Sequence, residues 1–285
     1  MKINVCLCCI LLFWHSAFAA TVEIKYVDNT AHSVDYLNNY YVSLLDLALQ
    51  STSTDYVTNS VDIPMSHKRV LKSLSDGEID VMWTMTSINM ENQALPIRIP
   101  LLKGLLGYRV FVIRKQSQSY FTANMALDNI KSLVAVQGKD WVDADILKMN
   151  GFNVENTSWM NTIYKTLNAG HFDYFPRSII EANTEFKRYD TQDLTIEKNI
   201  LLHYPTAVYF FVRKNDHQLA KTMEAGLRLA IENGQLDKLL FEHPDHKEAL
   251  AKSNIHKRSL YRIPNPLLPS QTPTDPKLWI DINSL

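Results

Sequence analysis

The stretch Val70-Leu-Lys-Ser-Leu-Ser-Asp-Gly-Glu-Ile-Asp-Val-Met-Trp83 returns later in the chain as Ile163-Tyr-Lys-Thr-Leu-Asn-Ala-Gly-His-Phe-Asp-Tyr-Phe-Pro176. Lysine, leucine, glycine and aspartate hold matching places in both copies. In each, apolar residues at helical spacing run up to a glycine, Gly77 or Gly170, suited to the left-handed conformation that ends a helix. A short apolar run suited to a buried strand follows. Each copy therefore reads helix, cap, strand.

Working outward from the first copy, alternating Val22, Ile24 and Tyr26 predict a strand, Leu37 to Gln50 a helix, and Tyr56 to Ile63 a second strand. The second copy is preceded by a strand at Leu133 to Val136, a helix from about Trp141 capped by Gly151, and a strand at Phe152 to Glu155. Strands alternating with helices imply right-handed crossovers and parallel pairing. The expected fold class is α/β, with two Rossmann-like lobes joined by two crossing strands. Candidates for the crossings come from a second echo, Val110-Phe-Val-Ile-Arg-Lys115 and Tyr209-Phe-Phe-Val-Arg-Lys214, near Gly107 to Arg114 and Thr206 to Val212. The other reading of this echo is two edge strands of separate domains in a row. With crossings, residues 20–108 form the first lobe, 109–207 the second, and 208–285 return to the first. The returning part contains a helix from Leu219 to Asn233 and a tail whose Pro264, Pro266, Pro269, Pro273 and Pro276 exclude a regular helix or central strand. Leu267, Leu268 and Trp279 give that tail something to bury.

The chain opens with Lys2, an apolar run from Val5 to Phe18, and the small-x-small site Ala17-Phe-Ala19. Residues 1–19 thus read as a secretory signal peptide cut near Ala19, with an apolar run too short to span a bilayer. Cys6, Cys8 and Cys9 all fall in this leader, so the mature chain is expected to form neither a disulfide nor a thiolate metal site. A lipoprotein needs its cysteine after the apolar run, whereas these precede most of it. A net charge of −1 over 285 residues carries no nucleic-acid footprint, and 46% hydrophobic content is ample for a core. A soluble periplasmic monomer without a cofactor is expected.

In this order the chain resembles the type II periplasmic solute-binding proteins, in particular the amino-acid-binding branch called family 3. The resemblance rests on the leader, Leu74-x-x-Gly77-x-Ile79-Asp80, the twin crossing strands, and Val134-Ala-Val-Gln-Gly138 opening the second lobe. It implies a Venus-flytrap pair of lobes that clamps a small-molecule solute and serves a membrane transporter or a sensor. It also implies a binding loop at Thr84-Met-Thr-Ser-Ile-Asn-Met-Glu-Asn92, in which the family's carboxylate-binding arginine is replaced by Asn92. An Asn offers two neutral donors in place of a charged fork. Arg98 and Arg109 are possible substitutes at other positions. The family's acid for the ligand's ammonium group corresponds to Ser178, preceded here by Arg177. The resemblance with these departures points to a small polar solute, with an anionic group facing Arg177 as one option.

In open α/β sheets, ligands bind outside the carboxyl ends of the strands. This rule alone selects Asp28, the run Trp83, Thr84, Met85 and Ser87, then Lys139, Asp140 and Trp141, and finally Arg177 with Ser178. Trp83 and Trp141 could stack on a flat ligand, although a strand-end tryptophan is more often a core plug. Asp80 and Asp173 recur in the echo and are expected to bind nearby backbone. No catalytic constellation is present, and His243-Pro-Asp-His246 lacks a third metal ligand. An enzyme on the same fold, dehydratase-like, remains the alternative, with Glu181 as its candidate cleft acid.

Overall fold

The computed structural model describes residues 21–27, 37–50, 55–62, 67–157, 160–189 and 191–285. The leader and Asp28 lie outside the described residues. In chain order the first elements are β1 (Val22–Val27), α1 (Asn38–Gln50), β2 (Tyr56–Val61), α2 (His67–Asp76), β3 (Val81–Met85), α3 (Ile88–Gln93) and β4 (Leu95–Ile97). Next come β5 (Tyr108–Arg114), α4 (Leu127–Ser132), β6 (Val134–Gly138), α5 (Val142–Met149), β7 (Asn153–Thr157), α6 (Met160–Asn168), β8 (Phe175–Ser178) and α7 (Ala182–Phe186). The chain ends with β9 (Leu194–Ile196), β10 (Ile200–His203), β11 (Val208–Val212), α8 (His217–Glu232), α9 (Gln235–Glu242), α10 (Pro244–Ser253) and β12 (Ser259–Arg262).

Four hydrogen-bonded sheets result, grouped in two pairs. In the first pair, β1 runs parallel to β2 in one sheet, and β11 lies antiparallel between β3 and β4 in the other. The halves meet where the Asp80 N–H donates to Lys25 O at 2.8 Å. In the second, β6 and β7 pair in parallel, a bridge from Ala135 to Tyr174 joins them to β8, and β8 continues through β5 and β10 to β12. The fold is therefore the expected α/β pair of lobes.

The two echoes interlock, which is the physical reason that both recur. Asp80 accepts the Lys25 N–H at 2.9 Å and the Arg213 guanidinium at 2.9 Å. In the other lobe Asp173 accepts the Val134 N–H at 2.8 Å and faces Arg114 at 3.9 Å. Each aspartate ties a parallel neighbour to its own strand start, as expected. Each arginine also reaches carbonyls around the preceding turn: Arg213 donates to Ile79 O, and Arg114 donates to Leu167 O and Phe172 O. Gly77 and Gly170 have φ of +80° and +84°, and each lies against one of these guanidiniums.

The crossings run into β5 and β11, each of which continues as an inner strand of the lobe it enters, buried except at Arg114. Tyr108 and Arg109 at the start of β5 face His203 and Leu202 at the end of β10. One expectation about the path needs correction. The C-terminal part does not stay on the first lobe. α8 and α9 pack beside α1 there, but α10 touches α7 and β12 pairs with the open edge of β10 in the second lobe.

Candidate functional site

The carboxyl ends of β2 and β6 are brought near one another by a single ion pair. α2 starts beyond the end of β2, and Asp140 lies beyond the end of β6. Lys68 in the first turn of α2 reaches Asp140 at 3.5 Å. Asp140 has φ of +68°, a left-handed conformation that aspartate tolerates better than most residues.

On the first lobe, Trp83 is packed between Tyr26 and Tyr41, with ring centroids at 5.8 and 5.5 Å, and stands edge-on to Phe210. Thr84 lies opposite Tyr209, and Met85 is buried at the strand end. Ser87 caps α3 by accepting the Met90 N–H at 3.1 Å. Asn92 is exposed on α3. Thr86, within the same loop, is fully buried and donates to Glu91 at 2.8 Å, and Glu91 in turn pairs with Arg98.

On the second lobe, Lys139 is exposed and its N–H donates to Thr157 O at 2.8 Å. Trp141 lies over the end of β6. Its indole is stacked 6.3 Å from Phe175 and covered by the Arg177 guanidinium at 4.9 Å. This close approach requires Gly138, where a Cβ would stand 2.3 Å from the indole. Arg177 is buried: its Nε donates to both Glu185 carboxylate oxygens at 3.0 and 2.9 Å, and its Nη2 contacts Glu185 and lies 3.1 Å from Glu181. Ser178 is fully buried, donating to Leu105 O at 3.3 Å, while its N–H donates to Glu181 at 3.2 Å.

A wider network surrounds Arg177. Arg109, almost fully buried at the start of β5, lies 2.6 Å from Asp143 and 3.6 Å from Glu181, with its guanidinium 5.2 Å from the Tyr204 ring centre. Asp143, in the first turn of α5, accepts the Tyr204 hydroxyl, and Tyr164 donates to Glu185 at 2.8 Å. Three carboxylates thus face two guanidiniums. Burial pushes the Glu181 carboxyl above the usual range, against the opposing pull of Arg177. Burial opposes the charge on Arg177, but Glu181 and Glu185 more than compensate and hold it firmly protonated.

Sequence reasoning named Arg177, Ser178 and Trp141, with Glu181 as a cleft acid, but missed Asp143 and Tyr204. The available signal was Arg109 at the head of the apolar run Tyr108-Arg-Val-Phe-Val-Ile113, since a buried arginine needs carboxylate partners. Among the described residues no group of three metal-ligating side chains is present, and no helix is long and apolar enough to cross a membrane. A depression of about 560 Å³ lies elsewhere, between α1 and α9, lined by residues including Asp46, Lys238 and His243.

No protein-family model and no curated protein sequence matches the chain. Solved structures do. An arginine-specific periplasmic binding protein of Salmonella typhimurium is 14% identical with a TM-score of 0.57, covering 79% of this chain and 99% of that one. A probable amino-acid ABC transporter extracellular-binding protein of Bacillus subtilis is 16% identical with a TM-score of 0.58, covering 80% and 99%. A histidine kinase sensor domain similar to periplasmic binding proteins is 15% identical with a TM-score of 0.55, covering 77% and 93%. The chain has the fold of periplasmic solute-binding proteins.

Proposed function

We propose that this protein is an extracytoplasmic solute-binding protein whose two lobes close on a small polar solute and present it to a membrane transporter or sensor. The observation that supports this reading best is the approach of the carboxyl ends of β2 and β6, marked by the Lys68–Asp140 pair. Loops and helix N-termini of both lobes converge there, as they do at ligand sites of open α/β sheets. Export through the leader, cleavage near Ala19 and a monomeric state belong to the same reading. So does the assignment of Thr84, Ser87, Lys139, Asp140 and Trp141 to the walls of the cleft.

The charge of the solute is read from the second lobe. Arg177 was the candidate anion anchor, but its donors are directed at Glu185 and Glu181. Asp143, Glu181 and Glu185 outnumber Arg109 and Arg177, and Glu181 is the most exposed of the five, with 16% of its side chain reachable. An uncompensated buried carboxylate is costly, so this wall favours a solute with a positive group over an anion. The dehydratase-like alternative needs Glu181 free to move a proton. Here its oxygens face Arg177, Arg109 and the Ser178 N–H, which favours a binding role.

A thermal-shift screen of protein refolded to remove carried-over solute tests this reading, with L-arginine, L-lysine, L-glutamine, L-glutamate, succinate, a dipeptide and adenosine as probes. A probe that binds only the folded state raises the melting temperature, by the equivalent of about 2.7 kcal/mol at a hundredfold excess over Kd. A rise with the basic probes is expected. No rise with any of the seven contradicts the binding role, and a rise with the anions alone contradicts the charge assignment.

A further inference from the structure

After α9 the chain leaves the first lobe. α10 meets α7 of the second, where Lys187 pairs with Glu248, and the Arg258 guanidinium then donates to Glu197 O and Ile200 O. β12 runs parallel to β10 from Ser259 beside Ile200 to Arg262 beside His203. It does not stop at the hinge. The Ile263 N–H donates to His203 O at 2.9 Å, and the Asn265 side chain donates to Pro205 O at 2.8 Å. The segment thus accompanies the second crossing back into the first lobe.

There Leu267 O accepts the N–H of Ile88, the first residue of α3 and the neighbour of Ser87, at 3.0 Å. Three residues earlier in the same segment, Pro264 O accepts the Asn150 side chain from the end of α5 at 2.9 Å. A few residues therefore join α5 of one lobe to α3 of the other, and Pro264 and Pro266 restrict their φ. Farther along, the Ile280 N–H donates to Lys103 O at 2.9 Å, and Trp279 covers Gly104, where a Cβ would stand 2.7 Å from the indole. Both anchors sit on the chain just before the first crossing.

We propose that β12 and residues Ile263–Leu268 are a third hinge strand that limits the opening of the lobes and holds the Ser87 loop in place for the solute. The part concerning solute rests on the clamp reading above. Hinges open through φ/ψ changes at a few residues. A third strand bonded along the second crossing and stiffened by prolines must bend with it or release its hydrogen bonds.

Small-angle X-ray scattering of the full-length exported protein, stripped of solute, tests the strand directly. One variant inserts four glycines between Asn265 and Pro266, which adds slack while keeping both ends bonded. A second, Asn150→Ala, removes the tie to Pro264. Both are expected to have a larger radius of gyration than the parent at nearly unchanged melting temperature, the glycine insertion more so. In Asn150→Ala, L-arginine is expected to dissociate roughly two- to tenfold faster, the factor for one neutral hydrogen bond. Unchanged scattering in both variants overturns the proposal, and if the insertion variant fails to fold, Asn150→Ala alone decides. Failure of L-arginine and the other probes to bind counts against the clamp reading, while the solute-free scattering still decides the hinge strand.

Discussion

The two lobes share a scaffold and differ in what stands at its working edge. Asp80 with Arg213 and Asp173 with Arg114 make equivalent ties at the starts of β3 and β8. Beyond the ends of those strands the likeness stops. The first lobe places one acid, Glu91, between Thr86 and a partly exposed Arg98. The second places Arg177 among buried Glu185, Glu181 and the Asp143–Arg109–Tyr204 group. A repeated unit can therefore fix the frame while the residues just after it set the chemistry, one edge nearly charge-balanced and the other carrying surplus carboxylate.

The comparison breaks most sharply at the buried pair. Glu185→Ala leaves Arg177 without its bidentate partner and is expected to cost about 3–5 kcal/mol in urea unfolding. Glu91→Ala, with its arginine open to water, is expected to cost about 1–3 kcal/mol. Equal losses would erase the difference drawn between the edges. Arg177→Ala, which leaves Glu185 buried without its partner, is expected to cost a similar amount to Glu185→Ala.

A titration separates two other buried groups. Burial, with a smaller push from His243, moves the His246 imidazole down to about 4 while its Nδ1 lies 2.8 Å from Leu240 O. Its folded value is depressed, so its contribution is present above about 6.5 and is lost as pH falls towards 4, about 3 kcal/mol in all. Glu181 has the opposite sign. Burial raises its carboxyl, so stability is greatest below the usual glutamate value and declines as pH rises through the raised one. Urea midpoints measured from pH 4 to 8 should show a shallower acid-side slope in His246→Gln and a weaker rising-pH decline in Glu181→Gln. The remaining acid-side slope comes from His203, whose imidazole burial also lowers to about 4. A parent-like profile in either variant contradicts that assignment.

Gly138→Ala forces the Trp141 indole off Arg177 and is expected to cost about 1–3 kcal/mol, with a change in tryptophan near-ultraviolet dichroism. Unaltered dichroism would mean that the indole does not depend on that glycine. The smallest expected effect is at the cap of α3, where Ser87→Ala should cost about 1 kcal/mol. A cost equal to that of Glu185→Ala would show that the first edge is as tightly built as the second.

The frame was legible because it is local and periodic. Gly77 and Gly170 end helices in the conformation their residue type favours, and the alternation of Val22, Ile24 and Tyr26 forms β1. The second-lobe network was less legible because its members come from four elements and the second crossing, which only the fold brings together: Arg109 from β5, Asp143 from α5, Arg177 from β8, Glu185 from α7 and Tyr204. β12 was hidden for a related reason. Its partner β10 is remote in sequence, and the proline-rich tail drew attention away from the strand-forming residues before it.

Native mass spectrometry tests the central claim most directly, using the protein unfolded, refolded and then offered equal amounts of L-arginine, L-lysine, L-glutamine and L-glutamate. The account predicts one adduct per chain, with the mass of a basic amino acid, that weakens in Glu181→Gln. A bare chain under these conditions, or an adduct of glutamate that persists in Glu181→Gln, would contradict it.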